Sequence, residues 1–182
     1  MTRNTVSRSM HDLGLAAWFG GTLANAVSLN EAAAEAGDPN DAGAVANVGW
    51  DRWTPVNASA IGLHVAGTLG QILGNSKRIR AQKGVMAMVI TKSVLTVGAL
   101  GVTAYSRVLG ARVSKWTDVP VSSGTDPIAT TPANVAAAQK QLKVLQWVIP
   151  ALTGAVVVVS AFAGEQERPS EVTRGLTHRI FG

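Results

Sequence analysis

Four long stretches of apolar and small residues divide this chain, and the link between the second and third reads Asn75-Ser76-Lys77-Arg78-Ile79-Arg80-Ala81-Gln82-Lys83. Its four cations, Lys77, Arg78, Arg80 and Lys83, stand there with no acid among them. Short loops rich in Lys and Arg stay on the cytoplasmic side of a bilayer. This one feature therefore predicts the solvent before it predicts a fold. Hydrocarbon surrounds the chain, and in hydrocarbon a backbone must satisfy its own hydrogen bonds, which apolar runs of this length do as helices. Composition agrees: 47% of the 182 residues are hydrophobic and 15% charged, against about 25% charged in an average soluble domain. The expected fold is an all-α membrane protein, one four-helix transmembrane domain over residues 1–182, with spans at about 10–36, 56–74, 85–108 and 133–163 and both ends of the chain inside.

The boundaries follow from local chemistry. Ser9 and Asp12 read as a capping box opening the first helix, Met10 to Ala36. Its apolar core, Leu13 to Leu29, contains Asn25 and Ser28 and is the least hydrophobic of the four, so an amphipathic surface helix is the other reading. No small-residue cleavage site separates it from Asn30-Glu31, so it is not read as a cleaved signal. Gly37-Asp38-Pro39-Asn40-Asp41 is turn chemistry and opens a loop to residue 54. There Trp50 and Trp53 flank Asp51-Arg52, as side chains anchored at headgroup level would. Pro55 then fits the first position of a helix, where its missing N–H costs nothing. The segment from Leu109 to Thr131, with Pro120, Gly124 and Pro127, reads as irregular and exposed. The fourth helix begins near Pro132-Ala133, and Pro150 inside it should bend it. A short surface helix from Ser170 is expected in the tail.

With both ends inside, the inner segments carry Arg3, Arg8, the 77–83 cluster, Arg168, Arg174 and Arg179, while Arg52, Arg107, Arg112, Lys115, Lys140 and Lys143 fall outside over longer loops. The balance follows the positive-inside rule. The basic cluster is also placed to meet anionic phospholipid headgroups.

Lipid gives helices no hydrophobic reason to associate, so small residues that permit backbone approach mark packing faces. The first span carries Ala16, Gly20, Ala24, Ser28 and Ala32, each four residues apart, and the second carries Gly62, Ala66, Gly70 and Gly74 at the same spacing. These two faces are expected to pack together and make the tightest pair of helices.

Few residues could carry chemistry. Lys92 lies inside the third span, where a charge is a functional hypothesis. Its stem can also reach the inner headgroups, or its ammonium can meet Thr68, Gln71 or a partner's carboxylate. His64 lies in the second span and lacks a second histidine at its own depth, since His11 is near the inner end of the first helix and His178 is in the tail. That argues for a structural histidine rather than a haem ligand. The absence of cysteine removes disulfides, thiolate metal sites and cysteine nucleophiles. P-loops, dinucleotide fingerprints, zinc spacings and serine elbows are missing, as are basic-aromatic patterns for nucleic acid. No catalytic residue, metal ligand or cofactor site is predicted. Contacts with lipid or with partner proteins are assigned to Trp50, Arg52, Trp53, Lys77, Arg78, Arg80, Lys83 and Lys92.

The segments His11-Asp12-Leu13-Gly14-Leu15-Ala16-Ala17-Trp18-Phe19-Gly20-Gly21, Gly49-Trp50-Asp51-Arg52-Trp53-Thr54-Pro55-Val56-Asn57 and Asn75-Ser76-Lys77-Arg78 resemble those of small four-span membrane proteins of actinobacteria. The resemblance thins after about Lys115. It includes an association factor of the respiratory supercomplex that joins a cytochrome bcc complex to an aa3-type oxidase. It implies a non-catalytic accessory subunit of the plasma membrane, in contact with larger integral membrane subunits and anionic phospholipids. A small transporter or channel, and a haem- or quinone-binding membrane anchor, are the alternatives.

Overall fold

The long helices begin where backbone chemistry allows, which is not always where hydropathy changes. A computed structural model describes residues 4–82, 84–115 and 119–165; the expected tail helix, Trp116 and Lys83 lie outside these. The described chain is all-helical and has no strand, only an isolated bridge between Val121 and Pro127. The elements are α1 (Thr5–Ala24), α2 (Asn30–Ala34), α3 (Pro39–Gly74), α4 (Ser76–Ala81), α5 (Val85–Val113) and α6 (Ala133–Glu165).

Two boundaries differ from the sequence reading. The first helix starts at Thr5, so Ser9 lies inside it rather than at its cap. The second long helix starts at Pro39, and residues 39–54 are helical instead of a loop. Asp38 caps it, accepting from Asn40 N at 2.8 Å, and Pro39 takes the first-turn position that Pro55 was expected to hold. The alanines of Asp41-Ala42-Gly43-Ala44-Val45-Ala46 then favour continuing the helix. Pro55 sits in its interior, with Thr54 Oγ1 donating to Trp50 O and Ser59 Oγ to Pro55 O on either side.

Between α1 and α2 the residues Asn25–Leu29 form a π turn, so the two helices make one rod. The buried residues Trp18, Thr22, Ala26 and Asn30 are spaced by four. In an ideal α-helix that spacing drifts by about 40° per step. The wider π turn takes up the drift and keeps Asn30 facing the core. Gly37 (φ 83°) and Gly84 (φ 91°) occupy left-handed conformations that turn the chain into α3 and α5.

α1 and α3 run antiparallel and make the most extensive helix contact in the described chain. A Cβ on Gly14 would collide with the backbone of Ala60 and His64, and one on Gly67 with the backbone of Ser7 and His11. Gly70 faces Ser7 and Gly74 faces Asn4. α5 and α6 form the second antiparallel pair, and Phe19 of α1 lies over Gly154 of α6. A core cluster takes one buried residue from each long helix: Trp18, Ala60, Ala99 and Ile149.

The segment after α5 also departs from expectation. Leu109 to Val113 are helical, and Val121, Ser123, Thr125 and Thr131 are buried. The loop is folded onto itself: Ser122 N donates to Asp126 O at 2.8 Å, Ile128 N to Thr131 Oγ1 at 2.9 Å and Thr131 Oγ1 to Pro120 O at 2.7 Å. Val121 N also donates to Pro39 O, tying it to the start of α3. Its Ser and Thr side chains satisfy backbone groups locally, which composition alone could not distinguish from a solvated linker.

Gly67→Leu or Gly14→Leu should lower stability by about 3 kcal/mol through overpacking. Gly20→Leu should change it by no more than about 0.5 kcal/mol, as expected of an open position. Denaturing-detergent titration of the helical signal measures both.

Candidate functional site

The glycines at the α1–α3 crossing bring two histidines together in the interior. His11 and His64 are fully buried, with ring centroids 4.5 Å apart. Sequence spacing placed them at different depths. The earlier start of α1 and the close approach at Gly14 and Gly67 place them side by side. The carbonyl of His11 is the partner of His64 Nδ1 at 3.3 Å, so that nitrogen carries the proton and donates. Thr96 Oγ1 of α5 then donates to Nε2 at 3.4 Å. Both nitrogens of His64 are therefore committed within the protein, and a haem iron could be ligated there only by breaking one of these bonds. His11 Nδ1 donates to Asp12 Oδ1 at 2.7 Å. Geometry makes the pair a three-helix polar clasp between α1, α3 and α5.

Toward the other end of the bundle, Asn30 does similar work. It is 1% exposed. Its Oδ1 accepts from Trp50 Nε1 at 3.0 Å, and its Nδ2 donates to Gln146 Oε1 at 2.6 Å. One side chain thus joins the α1–α2 rod to α3 and α6, with Gly124 of the loop packed directly over it. Sequence reasoning passed over Asn30 as the end of an apolar run. The signal available was its four-residue spacing from Trp18, Thr22 and Ala26.

A cavity of about 290 Å³ opens between α3 and α5, closed on its far side by α6. Its mouth is crossed by Arg107 Nη2 donating to Asp51 Oδ1 at 3.0 Å, both side chains about half exposed. Trp53, Asn57, Thr103 and Ser106 line it, and Ile61, Leu100, Leu142 and Ile149 form its apolar floor. A smaller cavity of about 90 Å³ lies near the opposite end, where Lys92 is grouped with Thr68, Gln71 and Arg78. Of these, the contact reading of Lys92 named Thr68 and Gln71 and not Arg78.

The other predicted contact residues divide by environment. Arg52, Lys77 and Arg80 are exposed, and Arg78 Nε donates to Gln82 Oε1 at 2.8 Å within α4. Trp50 and Trp53 are half-buried and make contacts within the protein. One bonds Asn30, and the ring of the other packs on Gly21. They sit three residues apart on the face of α3 turned toward α1. Of the small-residue positions, Gly70 and Gly74 lie in the α1–α3 contact, whereas Gly20, Ala24, Gly62 and Ala66 are exposed, and nothing lies near Gly20 or Gly62. Gly14, Gly21 and Gly67 take their place in the contact. Among the described residues no group of three or more metal-ligating side chains converges.

Comparison of the chain with protein-family models, with curated proteins and with solved structures finds no match.

Asn30→Leu should destabilise by about 2–3 kcal/mol, because Trp50 Nε1 and Gln146 each lose a buried partner. Denaturing-detergent unfolding of the variant, followed by its helical signal, measures the loss.

Proposed function

We propose that the chain is a non-catalytic accessory subunit of a large plasma-membrane complex, crossing the bilayer four times with both ends in the cytoplasm. The observation that carries the reading is an inverted distribution of polarity. His11, Thr22, Asn30, His64, Thr96, Gln139 and Thr153 are buried, whereas Leu13, Leu63, Leu69, Leu73, Ile90, Val94, Val97, Val158 and Phe162 are exposed. Water would favour the opposite arrangement, and hydrocarbon tolerates this one.

Two helices, α5 and α6, are long and apolar enough to cross a membrane. In their most apolar windows only 17% and 28% of residues are buried, unlike the core helices of a soluble domain. The 29 residues of α5 extend roughly 43 Å at 1.5 Å each, more than the roughly 30 Å hydrocarbon core. α1 and α3 are less hydropathic because their contact face is made of glycine, histidine and threonine. Antiparallel packing with α5 and α6 carries them across with the others. The Lys77, Arg78 and Arg80 cluster and the open end of α6 then share the inner side, and the Asp51–Arg107 pair and the 119–131 loop share the outer.

A partner is favoured by what lies outside. Ala16, Gly20, Ala24, Ser28 and Ala32 form an exposed ridge along the α1–α2 rod, beside bulky aliphatic side chains. Small residues along a lipid-facing helix let a second subunit's helix approach closely. The resemblance described above points to the respiratory bcc–aa3 supercomplex as that partner. The exposed cations of α4 suit anionic lipid headgroups.

The chain has no cysteine, so single-cysteine variants report topology cleanly. Ala129→Cys should react with an impermeant maleimide in intact cells, and Lys77→Cys only after permeabilisation. In mild detergent the chain should co-migrate with a large respiratory complex on a native gel. Gly20→Leu with Ala24→Leu should release it as a free small species without loss of helical signal. Migration of the unaltered chain only as that species would refute the accessory-subunit reading.

A further inference from the structure

The cavity between α3 and α5 is a binding site built in layers. Inward from the Ser114–Asn47 bond, its walls present the Arg107 guanidinium, then hydrogen-bonding side chains, then hydrocarbon. Arg107 and Asp51 stand at the mouth. Thr103 lies four residues deeper on α5, roughly 6 Å at 1.5 Å per residue, and faces the level of Trp53 and Asn57 on α3. Leu100, Ile61 and Ile149 lie below. Trp53 Nε1, Asn57 Oδ1, Thr103 Oγ1 and Ser106 Oγ are buried and have no partner among the described residues. Four unpaired polar atoms in the wall of one cavity leave hydrogen-bonding capacity unused, at a cost the chain does not offset internally.

We infer that this cavity seats the glycerol-ester region of one diacyl glycerophospholipid of the outer leaflet, with its phosphate beside Arg107, its ester carbonyls at the level of the donors Trp53 Nε1, Thr103 Oγ1 and Ser106 Oγ, and the start of an acyl chain over Ile61 and Leu100. The order of groups along such a lipid is the order of the walls: anion, carbonyl, hydrocarbon. A quinone brings carbonyls but no charge for the mouth. The ion pair suits a zwitterionic headgroup, which brings a phosphate for Arg107 and an ammonium for Asp51.

The site rests on the four-span reading, and the test separates the two. The full chain is purified in mild detergent, delipidated by detergent exchange, and offered 1-palmitoyl-2-oleoyl phosphatidylethanolamine or its dialkyl ether analogue. Native mass spectrometry then counts lipids retained. The expected result is one ester lipid per chain and about tenfold weaker retention of the ether analogue, which lacks the carbonyl acceptor. Ala58→Trp, which fills the cavity, should abolish retention. Ala151→Trp, on an exposed position of α6 outside the cavity, should leave it unchanged. Equal retention of ester and ether lipids, retention by Ala58→Trp, parallel loss in Ala151→Trp, or a bound quinone in place of phospholipid would each overturn the assignment. The ester–ether comparison uses the unaltered chain, so it stands even if Ala58→Trp fails to fold. A chain that remains in solution without detergent ends the membrane reading instead, whereas a micelle-held chain that takes up no phospholipid overturns this site alone.

Discussion

The close approach of α1 and α3 at Gly14 and Gly67 is the contact on which the other contacts rest. Neither position has room for a Cβ, because the facing atoms are backbone. Backbone cannot rotate away as a side chain can. Their closeness lets His64 reach the carbonyl of His11 and present its other nitrogen to Thr96, which draws α5 to the pair. It also seats Trp18 among Ala60, Ala99 and Ile149, where all four long helices meet. On the membrane reading, the hydrophobic effect would not drive helix against helix, and close van der Waals contact and shared hydrogen bonds would hold them. Parting α1 from α3 by the width of a methyl group weakens both at once.

The polar interior follows from the same constraint. Asn30 and His64 each make bonds to two other helices, one toward each end of the bundle. On the membrane reading, a nonpolar core in a nonpolar solvent would have little to choose between one helix register and the next. Side chains that lose a hydrogen bond on sliding supply that choice. The π turn at Asn25–Leu29 belongs to this arrangement, because without it the rod would rotate Asn30 away from Trp50 and Gln146. A local departure from α-helical geometry is thus tied to a bond between distant helices.

The all-helical character was legible from the apolar runs, and so were the positions of α5 and α6, whose hydropathy is uniform. The start of α3 was not, because Pro39 and Pro55 both satisfy the rule for a first-turn proline. Asp38, which caps the first of them, decides between the two. The packing face of α1 was misassigned for a related reason. Ala16, Gly20 and Ala24 make a regular four-residue ladder, and so small side chains alone suggested the contact. The face that packs is His11, Gly14, Trp18 and Thr22, which mixes small and large residues at steps of three, four and four. Regular spacing of one residue type was the weaker sign. The His11–His64 meeting required knowing both the helix offset and the crossing point, neither of which one chain's pattern contains.

The gap between α3 and α5 is a consequence of how the faces are shared. α3 gives its glycine face to α1, and α5 gives its long contact to α6, so α3 and α5 meet only through side chains at a few points. His64–Thr96 joins them toward one end, and Asp51–Arg107 and Ser114–Asn47 toward the other. Between these ties the walls stand apart, and the residues exposed there are mixed: an indole, an amide and two hydroxyls above, aliphatic side chains below. Simple lipid contact would favour aliphatic residues throughout, since hydrocarbon cannot satisfy a hydroxyl or an indole N–H. A wall selected only to close against a neighbouring helix would carry small residues that let it close. Hydrogen-bonding groups above aliphatic ones, in a cleft tied at both ends, suit the amphiphile inferred above, whose carbonyls would accept from the indole and the hydroxyls. On that inference the lipid would be a structural member of the α3–α5 interface, filling the space that glycine packing elsewhere leaves between the two helix pairs.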